Sequence, residues 1–370
     1  MDDSLTHSAK RLRGEDAGGL GTVVAKHYNN IEDKGLQDRS KSRIFFMRNS
    51  NNWIKSYLIN YCLEQIRDRQ VDGYPVCVLD LGCGKGGDLL KWQKGKIHHL
   101  IGADIAEISI KQCRDRYEMT MKKNRTGGFT SEFIVADCTK ERIKTLFENP
   151  DRRVDLVSCQ FAFHYCFESL NQAETMLRNV SENLRKGGYF VVTLPNAYEI
   201  MSRMTCSDGN SIGNEVYRIV FPEDRSETPP LFGDCYNFFL EGAVDCPEFL
   251  VHPPTLEKLA KKWGLEQLWS RDFATVFNDA LKDQECQHLL SVMKALETFP
   301  SSEQATETEG EYYHAQKFID DKEDIAHVRT LSKSEWEALL AMFHCYSNIR
   351  PGRCHSASRT VTGNIISETY

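Results

Sequence analysis

The chain contains 13 cysteines but no Cys-x-x-Cys pair, and no His, Cys, Asp and Glu cluster with metal-ligand spacing. That excludes a zinc ribbon or finger and points to reduced thiols in a cytosolic or nuclear protein. No apolar run reaches the roughly 18 residues of a membrane-spanning helix. The start, Met1-Asp2-Asp3-Ser4, lacks the charged-then-apolar order of a secretory signal. Positive charge is not in excess either: 46 Lys and Arg face 53 Asp and Glu, for a net charge of -7. A protein that held nucleic acid along its phosphates would be basic, so an RNA substrate is expected to be read at one local feature. Neither a Ser-His-Asp arrangement nor a paired-carboxylate signature occurs. What remains is an ordinary apolar content of 41% in 370 residues, enough for one large α/β domain with insertions or two smaller ones.

The most informative stretch is Val78-Leu79-Asp80-Leu81-Gly82-Cys83-Gly84-Lys85-Gly86-Gly87-Asp88. An apolar run ends near an acid, and a loop with four glycines in six positions leads toward a helix. Glycine there permits positive φ and close approach of a ligand to the backbone. Gly82, Gly84 and Gly87 fit a dinucleotide fingerprint, which taken alone is weak. Asp80 is better suited to a ligand ammonium than to a pyrophosphate, so S-adenosylmethionine is the preferred ligand, although Lys85 is unusual in a loop for either ligand. Two further apolar runs end in Asp104 and Asp137. The first acid suits ribose hydroxyls and the second an adenine amino group, which predicts a rim of three acids: Asp80, Asp104 and Asp137.

Along the chain the pattern predicts strands at 76–81, 99–104, 132–136, 154–159 and 188–194. Helices are expected at 87–94, 106–118, 139–148, 169–185 and 195–203. This alternation implies a doubly wound, mostly parallel sheet with ligands at the carboxyl ends of its strands. Before it, Asn49 is placed as the cap of a helix carrying Trp53, Ile54, Tyr57 and Leu58, next to a basic cluster of Arg39, Lys41, Arg43 and Arg48. After Pro195 the rhythm stops, and residues 210–250 read as a β-rich insertion over the pocket. A helix at 254–263 and a strand near 265–270 follow, and Ser301 to Glu311 reads as an acidic loop. Lys10-Arg11-Leu12-Arg13 is a short basic run of the kind that serves nuclear import.

The fourth strand leads into Cys159-Gln160-Phe161-Ala162-Phe163-His164-Tyr165, whose aromatics and His-Tyr pair are suited to stacking on a base. Glu248, after the insertion, is an acid that can accept from the N1 and N2 hydrogens of a guanine. Methyl transfer to a ring nitrogen with a free lone pair needs no general base, consistent with the missing acid-base constellations. In-line placement alone supplies about 7–11 kcal/mol of barrier reduction in such reactions.

The chain resembles the eukaryotic mRNA cap guanine-N7 methyltransferases from about Val24 to Ala338. The resemblance rests on Val24-Ala25-Lys26-His27-Tyr28-Asn29, Ser42-Arg43-Ile44-Phe45, Asn51-Asn52-Trp53-Ile54-Lys55, the glycine loop, Gln160 to Tyr165, and Val244-Asp245-Cys246-Pro247-Glu248-Phe249-Leu250. It implies a class I S-adenosylmethionine-dependent methyltransferase fold over residues 22–345, with an insertion at about 204–253, a disordered tail at 1–21 and a divergent tail at 346–370. It implies that Lys55, Gly82, Asp104, Asp137, Gln160 and Tyr165 contact S-adenosylmethionine. Asn51 and Asn52 would touch the cap, with Lys85, Lys91 and Arg116 toward its phosphate bridge. His164 and Glu248 would position the guanine, and Pro195 would line the pocket. No residue acts as a catalytic acid or base and no metal is implied. Expected partners are 5′-capped mRNA, a small activating subunit and the transcription machinery, in the nucleus. One departure stands out: after Ser332-Lys333-Ser334-Glu335-Trp336-Glu337-Ala338 the family's final antiparallel strand, which brings an aromatic to the guanine, is replaced by unrelated sequence. A strand over Leu339 to Tyr346 is therefore doubtful. Its loss would leave neighbouring backbone groups unpaired at about 1–3 kcal/mol each and yield a less stable, catalytically weak cap- and S-adenosylmethionine-binding variant.

Overall fold

The computed structural model describes residues 19–30, 42–123, 128–226, 228–301, 310–322 and 325–351. The Lys10–Arg13 run, Arg39, Lys41, most of both expected tails and most of the acidic 301–311 stretch lie outside the described residues.

The apolar runs form the parallel core. Strands β1 (Cys77–Leu81), β2 (His99–Asp104), β3 (Thr130–Val135), β4 (Val154–Gln160) and β5 (Leu184–Leu194) pair in parallel in the order β5-β4-β1-β2-β3. Every residue of β1 and β4 is buried, as expected of strands covered on both faces. The chain runs outward from β1 to β3 and then crosses back to β4. The carboxyl ends of β1 and β4 therefore flank the point where strand order reverses, which opens a crevice for ligand.

Several helices differ from the sequence pattern. The amino-terminal half of the site is carried by a 23-residue helix, Phe45–Arg67, preceded by Gly19–Asn30. Asn49 lies inside the longer helix and does not cap it, because the polar run makes tertiary bonds. Asn49 donates to the Lys294 carbonyl (3.1 Å), and Ser50 donates to the Ala295 carbonyl. The helix expected at 139–148 is one 3-10 turn, Ile143–Leu146. Asp137 closes its own turn by accepting from the Thr139 N–H and hydroxyl, and Pro150 follows close behind, so only one turn fits.

The expected insertion is an antiparallel four-stranded sheet: β6 (Ser211–Gly213), β7 (Tyr217–Val220), β8 (Cys235–Leu240) and β9 (Val244–Phe249). Alternate residues of β8, namely Tyr236, Phe238 and Leu240, are buried. The Pro253–Lys262 helix and β10 (Glu266–Asp272) return to the main sheet. The helices Phe273–Ala280 and Gln284–Val292 then lead to a two-stranded ribbon of β11 (Glu297–Phe299) and β12 (Val328–Thr330).

The doubtful final strand is present. The Lys333–Met342 helix ends in β13 (His344–Ile349), which pairs antiparallel with both β5 and β10, so the folded chain runs past residue 345. A central strand saturates its backbone polar groups whatever its side chains are. The apolar residues also alternate correctly: Phe343 and Cys345 enter one core face and Tyr346 the other. Its polar residues looked like tail, but His344 Nε2 pairs with Ser270 Oγ at 2.7 Å across to β10. The first helix likewise begins at Gly19, inside the expected amino-terminal tail.

Candidate functional site

At the carboxyl ends of β1 and β2 the glycine loop is held by an acid. Asp104 Oδ2 accepts from the Gly84 N–H and Oδ1 from the Ala106 N–H, both at 2.8 Å. Burial pushes the Asp104 carboxyl up, against the pull of these amides. Gly82 has φ +72°, and a Cβ there would lie 2.4 Å from the Ala162 Cβ, so the loop is pressed onto the turn after β4. Gly84 has φ +51° with open space where a Cβ would stand, which leaves its backbone approachable. Asp137 lies beyond β3. Its Oδ2 faces Lys140 Nζ (3.3 Å) and approaches Gly21 of the first helix. Gln160 ends β4 between Ser158 and Thr193, at 3.1 Å from each hydroxyl. Tyr165 follows, its hydroxyl 3.1 Å from that of Tyr28 and 3.3 Å from Cys246 Sγ.

Asp80 does not join this rim. It lies inside β1, is 4% exposed and accepts from the Trp92 indole N–H at 3.3 Å. Burial, helped by the nearby Asp88 carboxylate, pushes it up to about 8. The indole bond and its place inside the strand hold Asp80 away from the loop surface where Asp104 stands.

A charged bridge lies between the loop and the long helix. Asp88 binds Lys55 (2.9 Å) and Lys91 (2.7 Å), and Lys91 also donates to Asn52 Oδ1 (3.2 Å). Burial opposes the Asp88 charge, but the two ammoniums win and bring it down to about 2. Lys91 is 9% exposed, so it is a buried strut and not a solvated surface lysine.

Beside the bridge is a cavity of about 240 Å³. One wall is the Phe45–Arg67 helix, through Arg48, Asn51, Asn52 and Lys55. The facing wall is the insertion sheet, through Ile219, Tyr236, Phe238 and Leu240. Phe161, His164 and Pro195 come from the ends of β4 and β5, and Ala341 and Met342 from the last helix. His164 and Glu248 are both buried, with His164 Nε2 3.4 Å from Glu248 Oε1. The Tyr236 hydroxyl donates to Glu248 Oε2 at 3.0 Å. Among the described residues neither ring nitrogen of His164 is hydrogen-bonded, and Asn51 Oδ1 also lacks a partner. A buried carboxylate with one donor and a histidine with none can take further bonds from a planar heterocycle that fills the cavity.

The structure thus brings Asn51, Asn52, Lys55, His164, Pro195 and Glu248 to one cavity, with Lys91 joined to it through Asn52. Gly82, Asp104, Asp137, Gln160 and Tyr165 gather at the adjoining strand ends. Lys85 and Arg116 are half-buried and do not line the cavity. Sequence reasoning missed Asp88 as the anchor of two lysines, although its i,i+3 spacing to Lys91 carries that signal. It also missed Tyr236 and Phe238 as pocket wall, which the period-2 burial of β8 would have revealed. Phe161 was noted only within its run. It holds φ +58°, its N–H donates to the Thr193 carbonyl (3.0 Å), and its ring packs edge-on against Phe343.

The family model described as the mRNA (guanine-N(7))-methyltransferase domain matches residues 11–347. The mRNA cap guanine-N(7) methyltransferase of Drosophila melanogaster is 47% identical over 329 residues, covering 87% of this chain and 76% of that protein. Its counterpart in Caenorhabditis elegans is 41% identical over 322 residues, covering 85% and 83%. That of Schizosaccharomyces pombe (strain 972 / ATCC 24843) is 37% identical, covering 77% and 78%. Among solved structures, an S-adenosylmethionine-dependent methyltransferase from Clostridium acetobutylicum ATCC 824 is 14% identical over 81% of this chain and 92% of that one, with a TM-score of 0.45. With a family model spanning most of its length and relatives at this level of identity, the chain belongs to the mRNA (guanine-N(7))-methyltransferase domain family.

Proposed function

We propose that this chain methylates N7 of the terminal guanosine of 5′-capped mRNA, with S-adenosylmethionine as methyl donor. The observation that carries the reading is the buried His164–Glu248 couple at 3.4 Å, with neither histidine nitrogen hydrogen-bonded among the described residues, beside nucleoside-type strand ends. The donor's residues fit: Asp104 keeps spare lone pairs after its two amide bonds, and the loop at Gly84 leaves room for close approach. Asp104 would take ribose hydroxyls and Asp137 the adenine edge, with Lys55, Gly82, Gln160 and Tyr165 completing that side. When bound, S-adenosylmethionine supplies an electrophilic methyl group.

Glu248, held by Tyr236, would accept from the N1–H and N2–H of guanine, and His164 would bind the neighbouring edge. Asn51, Asn52 and Pro195 would border the base. Lys85, Lys91 and Arg116 would balance the charge of the phosphate bridge. N7 has a free lone pair, so none of these residues needs to remove a proton. Their contribution is orientation, with Phe161, Tyr236 and Phe238 keeping water from the base. The same reading makes a small activating subunit and the transcription machinery partners, and the nucleus the place of action.

The test is incubation with unmethylated capped RNA and labelled S-adenosylmethionine. Label in the cap is expected, together with loss of turnover in His164→Ala. Binding of both ligands without labelled cap would leave only the binding-protein reading, and absence of binding would end both.

A further inference from the structure

The Phe45–Arg67 helix, which carries Arg48, Asn51, Asn52 and Lys55 into the cavity, has no side-chain cap of its own. The first N–H groups of a helix have no intrahelical partner and need one from elsewhere. Here the Phe45 N–H goes to the Ser42 carbonyl, and the ladder begins when the Arg48 N–H reaches the Ile44 carbonyl at 2.9 Å. The Met47 N–H, third in the helix, goes to Glu335 Oε1 at 3.3 Å, across 288 positions of sequence. Glu335 already has a local task. It closes the capping box of the Lys333–Met342 helix, with Oε2 accepting from the Ser332 N–H (3.2 Å) and hydroxyl (3.1 Å) while its own N–H donates to Ser332 Oγ. The far end of that second helix supplies Ala341 and Met342 to the same cavity. One carboxylate therefore caps two helices that form two different walls of the cap cavity.

We infer that Glu335 is a positioning residue for cap recognition: by bonding Met47 and Ser332 together it sets the spacing of the two cavity walls. It touches neither substrate and acts through Arg48, Asn51 and Asn52, all in the helix just after Met47. Its site is 3% exposed, which withdraws both N–H groups from water and leaves them no alternative partner. The carboxyl is also pushed up to about 7 by burial and then by Glu297, so a neutral, isosteric glutamine is tolerated there. Glutamine has one acceptor oxygen, enough for one of the two helices. The inference rests on the proposed reaction, and its test separates the two.

In steady-state methylation of capped RNA, Glu335→Gln should raise the KM for cap at least fivefold and leave kcat within twofold. Ser332→Ala breaks only the local box and should leave that KM within twofold, even if it lowers the melting temperature as much. An unchanged KM in Glu335→Gln, or an equal rise in both variants, would overturn the inference. Amide exchange of the wild-type chain gives a second reading that needs neither a variant nor activity. The Met47 amide should be protected more than tenfold over that of Phe46, and an unprotected Met47 amide overturns the inference. A wild-type chain that fails to methylate the cap counts against the proposed function, and Met47 exchange still decides the role of Glu335.

Discussion

The two halves of the site satisfy their polar atoms in opposite ways. At the glycine loop each acid is already bonded: Asp104 to two backbone amides, and Asp137 to its own turn and Lys140. In the cavity, among the described residues, His164 has no hydrogen-bond partner, Asn51 Oδ1 has none, and Glu248 has one donor. The loop side is a finished scaffold whose spare lone pairs meet a ligand. The cavity side is an incomplete hydrogen-bond network that a guanine would close. Substitutions should therefore hurt the loop side through folding and donor affinity together, and the cavity side through cap recognition alone.

The largest expected effect is on the cavity side. Glu248→Gln keeps the size of the side chain but turns one acceptor into a donor facing the guanine edge. The kcat/KM for capped RNA should fall about 100-fold or more, on the order of 3 kcal/mol, with donor affinity unchanged by direct titration. An equal loss of donor affinity would break the separation between the halves. Next is Asp104→Ala, which orphans the Gly84 and Ala106 amides as well as removing the ribose partner. Donor affinity should fall by one to two orders of magnitude, and the melting temperature should drop with it. A normal melting temperature would show that the loop does not depend on this acid. Gly82→Ala comes third. It forces a Cβ against Ala162 at φ +72° and should weaken donor binding about tenfold through strain on the order of 1–2 kcal/mol, while cap affinity in titration stays put.

The smallest effect is on pH dependence. Asp80 is held up at about 8 in the folded chain, above the ordinary aspartate range, chiefly by burial. A raised acid contributes stability that is fully present below its unfolded pKa and is lost as pH rises through the folded value. The melting temperature should therefore decline between about pH 4 and pH 8. In Asp80→Asn this part of the decline should vanish. An identical slope would show that Asp80 is ionised in the fold.

Much of the scaffold was legible because its signals are local. Apolar runs ending in Asp104 and Asp137, glycines at a strand-to-helix turn, and the βα alternation all fall within short windows. The placement of His164 and Glu248 in one cavity was implied by resemblance alone, since their 3.4 Å approach joins β9 of the insertion to the turn after β4. Strand β13 was underestimated because His344, Ser347 and Asn348 look like surface, whereas a strand between two others is held by its backbone. Asp80 was legible as an acid before the loop, but its bond to the indole of Trp92, twelve residues on, was not.

The most direct test of the incomplete-network account compares RNA capped with guanosine and RNA capped with inosine, which lacks the N2 amino group. The wild-type chain should favour guanosine by about tenfold in kcat/KM, the weight of one hydrogen bond to a charged group, and Glu248→Gln should lose that preference. Equal rates on the two caps with the wild-type chain would contradict recognition of the guanine edge by Glu248.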